Sequence, residues 1–395
     1  MSNNVIFGAG KISRGFIAHL LDRSGEKFVF IEKDPELVRL INERGKYALY
    51  VFGAPEKNTV IKGAKAISCE DRDTVVKTLA AADVIYISVG GKNLEKLIPV
   101  ITEALSQRLE NDDCDLSNIV TCENWYSPAE TLRKGILGIL DEKYIATFEE
   151  KVGITESVIL RTAIEADEEI LKSDPLALNV SDFWEIPING KGIKGELPKV
   201  EGFHLIKPFN AYLHRKLYTY NAASATISYL GYLKGYETLA EAAVDEDIKK
   251  VLMGVYEETC LALCNKFNVS SEEQRQLQHA SYTKYKDKRI VDFLERNARD
   301  PIRKLGPNDR LIGPANLVLE YGGNPVHLAT AIAAAVFYDH PADPIALQLR
   351  AKRETEGIDA ILKDVCKIDP DGTLSLLVKE KIETLRSKGL IKDNK

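Results

Sequence analysis

The stretch Arg215-Lys216-Leu217-Tyr218-Thr219-Tyr220-Asn221-Ala222-Ala223-Ser224 sets a lysine, a primary amide and a hydroxyl on one helical segment. At about 100° per residue, Lys216, Asn221 and Ser224 fall within an arc of about 140°, so the three could converge on one cleft. A desolvated lysine has its pKa drawn towards neutrality and can then carry a proton. An amide beside it can donate to an oxygen on which charge develops. These are the groups needed to take a hydroxyl proton while hydride leaves the carbinol carbon. Spacing alone leaves open the plainer reading, a solvated polar face of a helix.

A second constellation lies at the start of the chain. An apolar run ends in Gly8-Ala9-Gly10-Lys11-Ile12-Ser13-Arg14-Gly15 and continues into helical sequence. Gly8 permits a tight turn, and Gly10 lets backbone and helix N-terminus approach a pyrophosphate without a Cβ in the way. The third glycine of G-x-G-x-x-G is Ser13 here, with Gly15 two residues later. Glu32, ending the next apolar run, could accept from adenosine ribose hydroxyls and repel a 2′-phosphate, which favours NAD over NADP. The alternative for Glu32-Lys33-Asp34 is a solvated turn. Ser88-Val89-Gly90, after a later apolar run, would bring small residues beside the dinucleotide, or form a simple strand-to-helix turn. The candidate cofactor set is therefore Gly8, Ala9, Gly10, Lys11, Ile12, Glu32, Ser88, Val89 and Gly90.

The elements that would position these groups alternate. Asn4 to Gly8, Lys27 to Glu32, Asp83 to Val89 and Asn118 to Cys122 read as strands, nearly continuous in apolar character. Arg14 to Ser24, Pro35 to Arg44 and Asn93 to Arg108 read as helices between them. Such alternation predicts an α/β domain with a doubly wound parallel sheet whose strands are covered on both faces. The Gly/Pro/Lys-rich stretch Ile186 to Gly202 breaks the pattern and predicts the domain boundary region. Beyond it, Pro208 to Gly231, Leu239 to Phe267 and Leu328 to Phe337 carry helical periodicity, which predicts a mostly α-helical second domain. The division expected is 1–200 and 201–395, consistent with a 395-residue chain being long for one core.

Composition excludes several classes. With 45% hydrophobic and 28% charged residues, the chain reads as a soluble globular protein. No apolar run approaches a membrane span and no signal-peptide pattern is present. A net charge of −6 without a basic stripe gives no reason to expect nucleic acid. Cys69, Cys114, Cys122, Cys260, Cys264 and Cys366 form no C-x-x-C pair, and the six histidines form no short ligand pattern, so nothing points to a metal. Reduced thiols and no export signal predict a cytoplasmic protein.

The motifs in combination resemble the long-chain, zinc-independent polyol (mannitol) dehydrogenase family over nearly the whole chain. The resemblance rests on Phe7-Gly8-Ala9-Gly10 with Arg14-Gly15-Phe16, Cys122-Glu123-Asn124, Gly195 to Pro198, and Arg215-Lys216-Leu217 with Asn221. Tyr229-Leu230-Gly231, Asp309-Arg310-Leu311-Ile312 and Leu319-Glu320-Tyr321-Gly322 complete it. It implies a Rossmann-like domain followed by a helical domain, NAD as cofactor, and a polyol or polyol phosphate exchanged with its ketose, mannitol 1-phosphate and fructose 6-phosphate foremost. It implies Lys216 as acid/base and Asn124 and Asn221 as amide donors, with Asn124 also beside the cofactor. A monomer or small homo-oligomer suits the family.

The family pattern is Lys, four residues, Asn, two residues, His, and the histidine position is Ser224 here. A serine hydroxyl neither reaches as far as an imidazole nor carries its charge. His214 is expected at the surface, while His279 and His327 could approach from elsewhere. A substrate phosphate would need cations, which Arg299, Arg303, Lys304 and Arg310 could supply; a solvated, ion-paired helix end is the alternative. Uronate reduction or oxidation of an unphosphorylated polyol stay open within the family. A non-catalytic NAD-binding sensor and a flavin or nucleotide-sugar enzyme stay open outside it.

Overall fold

Asn-Val-Ile-Phe at Asn4–Phe7 and Val-Ile-Tyr-Ile at Val84–Ile87 are buried along their full length, as strands with both faces covered must be. They are the middle of a six-stranded sheet ordered Ala66–Ser68, Phe28–Glu32, Asn4–Phe7, Val84–Ile87, Ser117–Thr121, Val152–Glu156. Every pairing in it is parallel. The strand order reverses at Asn4–Phe7, where the crevice at the strand C-termini is the ligand position of such sheets. The computed structural model describes residues 2–110, 114–123, 125 and 127–391.

The chain divides into two units, Met1–Phe209 and Asn210–Lys395. The first is the α/β unit. Helix Pro35–Arg44 appears as expected, capped by Asp34 and ended by Gly45 at φ 59°. The expected helix from Arg14 instead begins as a π turn, Ser13–Ile17, and becomes α-helical only over Ala18–Arg23. A second sheet goes beyond the sequence expectation: Thr59–Lys62, Lys46–Val51, Leu178–Val180 and Ala163–Glu165, in that order. The Gly/Pro/Lys-rich stretch 186–202 belongs to the first unit, because Ile186–Asn189 pairs with Phe203–Ile206.

The second unit is helical, and among its described residues the only β pairing is a bridge between Thr238 and Phe293. At its centre is Val326–Val336, where Leu328, Ala329 and Ala331 to Val336 are all fully covered. A helix apolar on every side belongs in a core, and its alanines let Glu246–Phe267, Ala222–Lys234 and Thr373–Ser387 approach closely. No helix among the described residues is long and apolar enough to cross a membrane.

Candidate active site

In the first unit the glycine turn is built as the sequence requires. Gly8 has φ +94°, and a Cβ there would lie 2.5 Å from the Ser88 carbonyl oxygen. A Cβ on Gly10 would meet nothing within 4 Å, so exposed Gly10 borders open space. Glu32 is 8% exposed. One of its carboxylate oxygens accepts from Ala9 N–H at 2.6 Å, the other from Lys33 N–H at 2.8 Å and Asp34 N–H at 3.0 Å. It thus ties the end of the second strand to the glycine turn. Lys11 pairs with Glu165 at 3.1 Å across an exposed surface, and Ile12 precedes the π turn.

The π turn accounts for the displaced third glycine. That residue normally gives close packing of helix on sheet. Here the closest approach falls at Gly15, where a Cβ would lie 3.0 Å from Ala163 Cβ and from Val180 Cγ1. Arg14, beside it, is buried, donating to the carbonyls of Ala9 at 2.8 Å and Leu176 at 2.6 Å.

Ser88, Val89 and Gly90 follow the adjacent strand. Val89 N–H and Gly90 N–H both donate to Glu123 Oε1, at 2.6 and 2.8 Å. Burial holds the Glu123 carboxyl above the usual range, against the pull of those two N–H groups. Sequence reasoning misses Glu123 as a site residue, although a carboxylate ending the neighbouring strand is the signal for it. Asn124 lies outside the described residues.

In the second unit, Lys216 ends helix Phe209–Lys216 and a π turn follows over Leu217–Asn221 before α-helix resumes at Ala222. Ala222 N–H reaches the Leu217 carbonyl, a bond across five residues. In such a turn residues five apart stack, whereas in an α-helix they diverge by about 140°. The wide turn therefore brings Lys216 and Asn221 towards a common face more closely than regular periodicity predicts. Burial, reinforced by the charges of Arg310 and Lys284, holds the Lys216 ammonium down to about 7. Ser224 is 6% exposed, and its Oγ donates to the Asn221 carbonyl at 3.1 Å.

Among the described residues, no histidine takes the place left by Ser224. His214 is exposed, its ring nitrogen 2.9 Å from the Asn210 carbonyl and its ring stacked on Phe267. His279 is exposed on helix Ser271–Tyr285. His327 is held by Glu258 at 2.7 Å. Tyr285 binds the turn beside Ser224, its phenol donating to the Tyr220 carbonyl at 2.9 Å.

The basic cluster separates into different roles. Lys304 is 3% exposed, and its ammonium donates to the carbonyls of Asn297, at 2.6 Å, and Arg299. Those bonds tie down the turn ahead of Pro301–Lys304, so the expectation that Lys304 faces a phosphate is corrected to a structural role. Arg303 pairs with Asp300 and Asp309 at 3.0 and 3.1 Å. Arg310 shares Asp309 at 2.8 Å, and of the cluster it is the member whose charge bears on Lys216.

Residues 2–202 match the model of the mannitol dehydrogenase Rossmann domain, and residues 208–370 that of the mannitol dehydrogenase C-terminal domain. The chain belongs to the mannitol dehydrogenase family. It is 33% identical over 386 residues to a mannitol-1-phosphate 5-dehydrogenase of Thermoanaerobacter pseudethanolicus, covering 98% of each chain. Against the mannitol-1-phosphate 5-dehydrogenase of Bacillus pumilus it is 33% identical over 377 residues, covering 95% of this chain and 98% of the relative. Membership of this family makes the protein an oxidoreductase of the dehydrogenase type.

Two solved structures share the fold. A substrate-free D-sorbitol dehydrogenase superposes with a TM-score of 0.84 at 16% identity, over 98% of this chain and 94% of that one. A Pseudomonas fluorescens mannitol 2-dehydrogenase, solved with NAD and D-mannitol, gives 0.74 at 14% identity, over 98% and 92%.

Proposed function

We propose that the protein is an NAD-dependent dehydrogenase interconverting a polyol phosphate and its ketose, mannitol 1-phosphate and fructose 6-phosphate foremost. The observation that carries this is the Lys216 ammonium, held at about 7 by burial beside Arg310 and Lys284, on the same wide turn as Asn221. A proton carrier of that pKa serves both directions near neutrality.

The first unit suits a dinucleotide. Gly8 and Gly10 leave a backbone cradle with open space at Gly10, and the Glu32 carboxylate at the strand end favours ribose hydroxyls over a 2′-phosphate. Lys11, Ile12, Ser88, Val89 and Gly90 complete the residues that would hold NAD. When bound, NAD supplies the hydride acceptor. In oxidation, neutral Lys216 takes the hydroxyl proton; in reduction, its ammonium returns one to the forming alkoxide. Asn221, with Asn124 by family resemblance, donates amide hydrogens to the reacting oxygen and lowers the cost of charge building there. Arg310 is the cation best placed to meet a substrate anion, with Arg303 behind it sharing Asp309.

Ser224 favours a second reading within the family, in which the substrate is a hexuronate or an unphosphorylated polyol. A panel of fructose 6-phosphate, fructose, tagaturonate and fructuronate, each with NADH and then NADPH, tests both by NADH absorbance. Turnover of fructose 6-phosphate with NADH is expected. Turnover only of a uronate or free ketose selects the second reading, and NADH binding without any turnover refutes both.

A further inference from the structure

Ser224 and Tyr285 are each fastened onto the turn that follows the proposed proton carrier. The Tyr285 phenol donates to the Tyr220 carbonyl at 2.9 Å. Ser224 in turn reaches the Asn221 carbonyl at 3.1 Å. Two successive carbonyls of the π turn, Tyr220 and Asn221, are thus bound by side-chain hydroxyls. The Tyr220 and Tyr285 rings pack edge-to-face at 6.5 Å. The same helix, Ser271–Tyr285, grips the turn a second time: Gln274 Nε2 donates to Thr219 Oγ1 at 2.8 Å, and Gln274 Oε1 accepts from Arg215 Nε at 3.1 Å.

We propose that Tyr285 is a positioning residue of the reaction centre, holding Lys216 and Asn221 in register through the π turn, and that its hydroxyl and a histidine at position 224 are alternative occupants of one space. The proposal rests on the assignment of Lys216 given above. Its steric half follows from adjacency: the Ser224 hydroxyl and the Tyr285 phenol are bound to neighbouring carbonyls, those of Asn221 and Tyr220, at 3.1 and 2.9 Å. An imidazole at 224 reaches past the serine hydroxyl, on a helix against which Ser271–Tyr285 packs. Position 224 is covered, so the ring has no outward route, and packed interiors do not absorb several extra atoms without displacement. Removing the phenol oxygen opens the space, so Ser224→His is compatible with the fold only when it is combined with Tyr285→Phe.

The test compares the full chain with Tyr285→Phe, Ser224→His and the double variant, measuring kcat and KM on the active ketose of the panel together with Tm. Tyr285→Phe is expected to lower kcat roughly tenfold or more with KM for NADH unchanged, since small misplacements of reacting groups are expensive. Ser224→His alone lowers both kcat and Tm, and the double variant recovers most of both. Wild-type kcat in Tyr285→Phe, or a double variant whose losses are the product of the single ones, overturns the proposal. Amide hydrogen exchange over residues 217–225 reads the tie without any substrate. Faster exchange there in Tyr285→Phe, at unchanged Tm, supports it even if every sugar of the panel is inert, in which case the functional reading alone fails. Unchanged exchange refutes the tie whatever the activity.

Discussion

At the scale of the residue, the proposed chemistry turns most on Lys216. With its conjugate acid at about 7, the fraction of neutral amine rises through that pH. Polyol oxidation should therefore gain kcat as pH climbs past about 7, while ketose reduction, which needs the ammonium, should lose it over the same interval. Rate profiles in both directions check this, and parallel profiles would remove Lys216 from the proton path. The same depression has a cost in stability. The folded-state pKa lies below the unfolded value of about 10.4, so between the two the unfolded chain binds more protons, and stability rises with pH across that window. Lys216→Met should therefore raise Tm at pH 7, with the gain vanishing by about pH 10, while turnover falls by roughly 10²- to 10⁴-fold. Thermal melts beside initial rates would show both. The residue types proposed for this centre stand in the sequence, but the surroundings of Ser224 do not. Tyr285, which binds the neighbouring Tyr220 carbonyl, lies 61 positions away by subtraction from 224, on a helix whose own periodicity says nothing about where its end docks.

At the scale of the element, strands buried on both faces announced themselves by unbroken apolar runs, and the Gly8 turn by its place between strand and helix. What stayed hidden was geometry imposed by tertiary contact. The π turns at Ser13–Ile17 and Leu217–Asn221 leave no mark in a hydrophobic pattern, yet each shifts the residues after it. In the second sheet Ala163–Glu165 and Leu178–Val180 are three residues each, too short for alternation to reveal, whereas Lys46–Val51, with Tyr47, Leu49 and Val51 buried in alternation, carries a strand pattern that the expected elements omit. Gly15 joins the two effects, because the π turn presents it to Ala163 and Val180 of that sheet. Gly15→Val should overpack this contact and destabilise the protein by about 1–3 kcal/mol. Chemical denaturation would measure the loss; a neutral outcome would mean that the sheet yields more readily than packed cores do.

At the scale of the whole molecule, the apolar clusters respect the division of the chain. Two lie wholly among residues of Met1–Phe209 and the third wholly among residues of Asn210–Lys395. Each unit thus owns the burial that folds it, and the boundary comes a few residues beyond the expected one because the last strand pair closes the first unit. A fragment of residues 1–209 should therefore fold cooperatively and still bind NADH, detected by its fluorescence, while catalysing no turnover for want of Lys216. A fragment that neither melts cooperatively nor binds would show that the first unit depends on the second.

The wide turn after Lys216 also amounts to a phase shift in a screw. One surplus residue in the thread lets two side chains five positions apart point the same way without bending the shaft. Excising a single residue such as Thr219 would restore the ordinary pitch and could even favour the helix as a helix. It would leave Lys216 and the amide four positions apart, within about 40° of one another, so the face they share survives the cut. What the cut removes is Thr219 and the hydrogen bond it accepts from Gln274, so the expected product is a folded, dinucleotide-binding protein of reduced kcat, its two groups in step on a turn less firmly held.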